Sequence, residues 1–278
     1  MAPQSSDMVA ILAHALNAIL YAALGTVLAR GLWRTEPISV TEFGWVRHAL
    51  PAPVLLQLWL LQQSMFGSGH MTLGVGTALS CIVWLSVVIY WLGSFFHRLE
   101  GLQALVVPVA AVASLMPLLL PASRPLAHAD VPFFSLHLVL SMVAYSLFTI
   151  ASLHVLLMAL LERRLHSGAL PPLVRSLPPL LTLERLLFRI LAAGFVILTA
   201  SLVTGMFFSV ALTGHALQFN HKTLFGVLSW LIFGLLLSGR VLWGWRGRTA
   251  LRWTLAGFVA LVLAYVGTKF VVEVLLGR

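Results

Sequence analysis

The stretch FFSLHLVLSMVAYSLF places His137, Ser141 and Tyr145 four residues apart, so on a helix all three share one face. A second polar group, Asn220-His221-Lys222, stands at the start of an otherwise apolar run. Histidine is abundant throughout: ten histidines accompany only eight aspartates and glutamates and one cysteine. That balance selects among chemistries. Neutral imidazole suits haem iron, copper and zinc. A Mg²⁺ or Ca²⁺ site needs several carboxylate or carbonyl oxygens, which this chain cannot assemble. A hydrolase needs a nucleophile, a base and an orienting group. The sequence has no GxSxG, no HExxH and no pair of acids within an apolar span. No residue is therefore assigned a catalytic role, and the chain reads as a binding protein rather than an enzyme. Cys81 can form neither an internal disulfide nor a CxxC pair, and reads as a small packed residue.

Composition decides what must position these groups. Hydrophobic residues make up 60% of the chain, charged residues 9%, and mean hydropathy is +1.00. That is far below the roughly 25% charge of a soluble domain. An all-α, polytopic membrane bundle follows, because only helices or closed barrels satisfy their backbone in lipid. Windows of about 20 residues predict about eight spans, near 8–29, 49–66, 71–95, 101–121, 132–160, 187–212, 222–244 and 250–276. The second is interrupted by Pro51, Pro53, Gln57, Gln62 and Gln63. The first lacks a basic stretch before it and is followed by Arg30 and Arg34, so it reads as a span, not a cleaved leader. Residues 1–278 read as a single membrane domain.

The net charge of +9 does not imply nucleic acid, because the basic residues fall between spans rather than along one stripe. With the N-terminus outside, only Arg124, Lys222, Lys269 and Arg278 lie outside, and the other basic residues lie inside. This bias predicts an N-out/C-out topology and inner contact with anionic lipid.

Topology sorts the histidines by depth. His48, His97 and His166 fall on the cytoplasmic side, and His14 and His154 within spans. His70, His128, His215 and His221 fall at the outer face, with Asp130 the main acid there, and His137 in the outer third of span five. A lone histidine in a helix bundle is most often a hydrogen-bonded packing residue, and a His-Lys pair at a span start can simply face head groups. An intramembrane ionisable group is nonetheless a functional candidate. His137 and His221 are expected at similar depth and could form a bis-imidazole haem pocket, with Lys222 meeting a propionate. Ser141 and Tyr145 lie on the His137 face, and His215 and His14 are the other candidates for a second ligand. Gly194, Gly205, Gly226 and Gly234 are expected to permit close helix packing.

Three segments also carry a resemblance: LTLERLLFRILAAGFVILTASLVTG (181–205), NHKTLFGVLSWLIFGLLLSGR (220–240) and GWRGRTALRWTLAGF (244–258), beside HLVLSMVAYSLF (137–148). Together, over about 132–275, they resemble the cytochrome c assembly family of haem-handling membrane proteins. Within it they are most similar to the YpjD-like branch, related to HemX, CcsA and CcmC. The resemblance implies haem handling in cytochrome c maturation at a bacterial inner membrane, alongside other maturation proteins. It also implies haem held at the outer face between two histidines, one in the segment that His137 matches. The family's Trp-rich outer loop is replaced here by SVALTGHALQF (209–219). Asn220 stands where that motif's aspartate falls, Lys222 matches its lysine, and His221 is not at the position of the family's second histidine. In span two, Gln57 stands at about the place where this branch often has a histidine. No catalytic cysteine or apocytochrome-binding domain accompanies these segments, so the expected role is to bind, relay or position haem without making the thioether bond. Two further readings stay open: a transporter for a small cation or metabolite, suggested by Pro51, Pro53, Pro108 and Pro117, and a structural subunit that docks a protein partner through loop 161–186.

Overall fold

Spans without water must satisfy their own backbone groups, and the computed structural model does so with helices alone among the residues it describes: 5–33, 40–67, 69–96, 100–121, 133–166, 179–214 and 221–267. In chain order these are α1 (Ser5–Trp33), α2 (Val40–Ala49), α3 (Pro51–Phe66), α4 (Val75–Gly93), α5 (Glu100–Ala113) and α6 (Met116–Leu119). Then come α7 (Phe134–His166), α8 (Leu180–Thr213), α9 (His221–Trp243) and α10 (Gly247–Val262), which runs into a π-helical turn at Leu263–Gly267. Each expected span finds helical counterparts. Among the described residues six are long and apolar enough to cross a bilayer. The second is shorter, at 16 residues in α3. The described part of the eighth is α10 with its π turn. One boundary is corrected: α7 runs on to His166 and α8 already starts at Leu180, so the expected 161–186 connection is largely helix at both ends. Its middle, 167–178, lies outside the described residues.

The helices form two compact units, α1–α6 and α7–α10. In the first, proline chemistry shapes the fourth span. Pro117 cannot donate a helical hydrogen bond, and the helix breaks between Ala113 and Met116. The Leu118 N–H turns to the Leu115 carbonyl, so the Ser114 carbonyl loses its regular helical partner. His14 of α1 takes its place, with Nδ1 at 2.6 Å from the Ser114 oxygen. Gln57 of α3 donates to the Ser80 hydroxyl of α4 at 2.9 Å. Pro108 lies against Gly25 at the α1–α5 contact.

In the second unit, aromatic rings fill the space that glycines leave open. Phe148 of α7 and Phe233 of α9 are fully buried and stack with centroids 3.8 Å apart. Such a pair contributes about 0.5–1.5 kcal/mol beyond its buried area. Gly194 of α8 abuts the Phe148 ring and Gly257 of α10 abuts Phe233. Ser229 of α9 donates to the Gly257 carbonyl at 2.9 Å. Without a hydrophobic drive between helices in lipid, such close contacts and interhelical hydrogen bonds hold the bundle together. Gly214 ends α8 in the left-handed conformation, φ 74°, and its N–H caps the Val210 carbonyl.

Candidate functional site

His137 lies one turn into α7, where its ring faces α8. Its Nδ1 is 2.8 Å from the Ser201 backbone oxygen. A carbonyl only accepts, so Nδ1 carries the hydrogen and, in the neutral ring, Nε2 holds the lone pair. Gly205, one turn beyond Ser201 on the same helix, lets the ring lie this close. A Cβ at that position would stand 3.0 Å from His137 Cε1 and 3.1 Å from Nδ1. The sequence-based expectation for Gly205 was close packing, and its neighbour is the candidate imidazole itself.

The hydroxyls beside the ring form a chain whose protons can be assigned. Ser141 has one hydrogen and donates it to the His137 carbonyl at 2.7 Å. Ser201 therefore donates in the 2.8 Å Ser141–Ser201 contact. Ser141 lies 3.5 Å from His137 Nε2 and has no proton left to direct at it. The result is an imidazole oriented through one nitrogen by a backbone carbonyl, with the other nitrogen's lone pair left for a Lewis acid. This is the arrangement by which proteins fix the tautomer of a metal-ligating histidine. The ring is half-buried, and two aromatic pairs join the start of α7 to α8. Phe133, which precedes α7 at φ 66°, lies 5.8 Å from Phe207, and Phe134 lies 5.4 Å from Phe208.

The other expected site residues fall differently. Tyr145 shares the His137 face, but its buried hydroxyl donates to the Leu261 carbonyl of α10 at 2.6 Å, and its ring meets Tyr265 edge-on at 6.4 Å. It ties α7 to α10 immediately before the π turn. His221 and Lys222 are exposed at the start of α9. Neither is among the His137 hydrogen-bond partners described above. His14 belongs to the other unit and repeats the His137 device, with its Nδ1 on the Ser114 carbonyl. Gln57 is buried there on Ser80. His215, His128, Asp130, Asn220 and Lys269 lie outside the described residues. Among the described residues no cluster of three or more His, Cys, Asp or Glu side chains could hold a metal ion.

Sequence reasoning missed Ser201. A carbonyl acceptor leaves no residue-type signal, and a serine in an apolar helix looks like any small packing residue.

Residues 48–276 match the family model described as cytochrome c assembly protein. The chain belongs to this family. The match reaches further toward the N-terminus than the segments that carry the resemblance. The chain is 35% identical over 223 residues to an uncharacterised 28.8 kDa protein of Azospirillum brasilense, covering 79% of this chain and 81% of that one. It is 28% identical over 272 residues to the inner membrane protein YpjD of Escherichia coli, covering 96% and 98%. It is also similar to the cytochrome c biogenesis protein CcsA of Gloeobacter violaceus, 28% identical over 92 residues, covering 33% of this chain and 27% of that one. The apolar helices and this kinship make it a multi-pass inner-membrane protein.

Proposed function

We propose that the chain binds haem near the outer face of the membrane and relays or positions it during cytochrome c assembly, without forming the thioether bond itself. Family membership supports the haem-handling role. The observation that carries the site is the His137 imidazole, oriented through Nδ1 by the Ser201 carbonyl so that Nε2 keeps its lone pair. In this reading His137 and His221 would hold the haem iron, and Lys222 would meet a propionate. Ser141 holds the His137 turn, and Tyr145 fixes α7 against α10. Bound there, haem would bring its iron for coordination and its vinyl groups for attachment by a separate maturation partner. The distribution of basic residues, which predicts N-out/C-out, supports an outer-face position for this end of the unit.

The test is the visible absorption spectrum, oxidised and dithionite-reduced, of the detergent-purified chain and its His137→Ala and His221→Ala variants. A sharp Soret band with reduced α and β bands, weakened in both variants, is the expected outcome. A colourless protein that takes up no added haem would overturn the reading. Loss in His137→Ala alone would move the second ligand to His215.

A second reading, a transporter for a small cation or metabolite, gains support from the helix broken at Ser114–Leu115 in the first unit. It requires flux in sealed vesicles in the absence of haem.

A further inference from the structure

At the other end of the second unit, α7, α8 and α10 enclose a cleft. From His137 to Glu162 along α7 is about 37 Å, at 1.5 Å per residue, so this cleft is separate from the imidazole site. One part, about 350 Å³, has walls of Val155, Met158, Leu187 and Leu251 and a rim of Glu184 and Arg246. The adjoining part, about 480 Å³, is lined by Glu162, Arg163, Arg248 and Arg252.

Charge and depth define what fits. Glu184 is held by two arginines, Arg240 at 2.5 Å and Arg246 at 3.4 Å. Arg240 also lies over the Phe188 ring, 4.6 Å from its centroid. Glu162 is the only other carboxylate among the lining residues, against Arg163, Arg248 and Arg252. Guanidinium groups are thus in clear excess around an apolar cavity. The apolar segments end at this level, at Arg163, Leu180 and Trp243. A ladder of Trp243, Trp245 and Trp253 stacks beside it, with centroids 5.7 and 5.6 Å apart. Tryptophan at a span end marks the head-group region. An apolar pocket with an arginine rim at head-group depth has the shape of an amphiphile with a phosphate head.

We propose that this cleft binds an anionic phospholipid, with its phosphate on Arg248, Arg252 and Arg163 and an acyl chain along the wall formed by Val155, Met158 and Leu187. Arginine presents the forked donors that match phosphate. The lipid would brace the ends of α7, α8 and α10 against one another, independently of any haem.

The experiment uses the full chain, delipidated in detergent, with phosphatidylglycerol, phosphatidylcholine or inorganic phosphate added, read by native mass spectrometry and by the shift in melting temperature. Arg248→Gln/Arg252→Gln removes two exposed rim charges. Arg185→Gln/Arg189→Gln removes two exposed charges of α8 that do not line the cleft. Phosphatidylglycerol should bind and stabilise the wild type more than phosphatidylcholine. The rim variant should lose about thirtyfold in affinity, about fivefold for each arginine near an anionic head group, while the α8 variant loses little. Equal losses in the two variants would reduce the effect to general surface charge and overturn the proposal. So would equal binding of phosphatidylcholine. Stabilisation by inorganic phosphate alone to the same extent would replace the lipid with a soluble anion.

Discussion

Replacing Gly205 with alanine tests whether the His137 ring is held for a ligand or merely packed. The new Cβ would meet Cε1 at 3.0 Å and Nδ1 at 3.1 Å, whereas carbon atoms rest at about 3.5–4.0 Å. The ring must withdraw by roughly 0.5 Å. Ser201 and Gly205 lie one turn apart on the same helix, so withdrawal from one is withdrawal from the other. The 2.8 Å hydrogen bond to the Ser201 carbonyl would stretch to about 3.3 Å, beyond the usual range for N–H···O. Disturbing the partner that orients a metal-bound histidine typically costs about 10–100-fold in affinity. Gly194→Ala is the matched control. Its Cβ would press on the Phe148 ring at 3.1 Å, between the same two helices but away from the imidazole. Both variants should lose about 1–3 kcal/mol to overpacking, partly offset by about 1 kcal/mol of helix propensity. Only Gly205→Ala should weaken haem binding, by at least about tenfold, in a titration followed at the Soret band. Wild-type affinity in Gly205→Ala, or an equal loss in Gly194→Ala, would refute the argument that Ser201 orients His137 for a ligand.

Tyr145→Phe removes the hydroxyl from the Leu261 carbonyl and should cost about 1 kcal/mol in unfolding while leaving haem affinity unchanged; a loss of haem would move Tyr145 into the binding site. Glu184→Gln takes the negative charge from between Arg240 and Arg246. Because the pair retains some solvent, the loss should be about 2 kcal/mol, below the 3–5 kcal/mol typical of a fully buried pair, and thermal unfolding in detergent reads it. For topology, Cys81→Ala gives a cysteine-free background because Cys81 is the only cysteine. An impermeant maleimide should then label His221→Cys in intact cells and Arg248→Cys only after permeabilisation; the reverse pattern would invert the membrane orientation and the outer-face assignment of His137.

The sequence alone determined that this is a helical membrane protein, because too few charges exist to face water and each apolar run must close its own hydrogen bonds. It also pointed to imidazole rather than carboxylate chemistry, and to His137 through its spacing with Ser141 and Tyr145. Tertiary structure decided what those groups do. Periodicity put Tyr145 on the His137 face, yet its hydroxyl is long enough to reach across to Leu261, which makes it a brace between helices. Ser201 gave no sign in the sequence, because its contribution is a backbone carbonyl that every residue possesses. The Ser114 carbonyl became an acceptor for His14 only because Pro117 broke the helix around it, and the packing of α1 against α5 brought the ring there. The arginines of GWRGR were legible as span-end charges. Their gathering with Arg163 and Glu184 around one cleft arises from α7, α8 and α10 meeting there, a long-range contact that hydropathy and spacing do not encode.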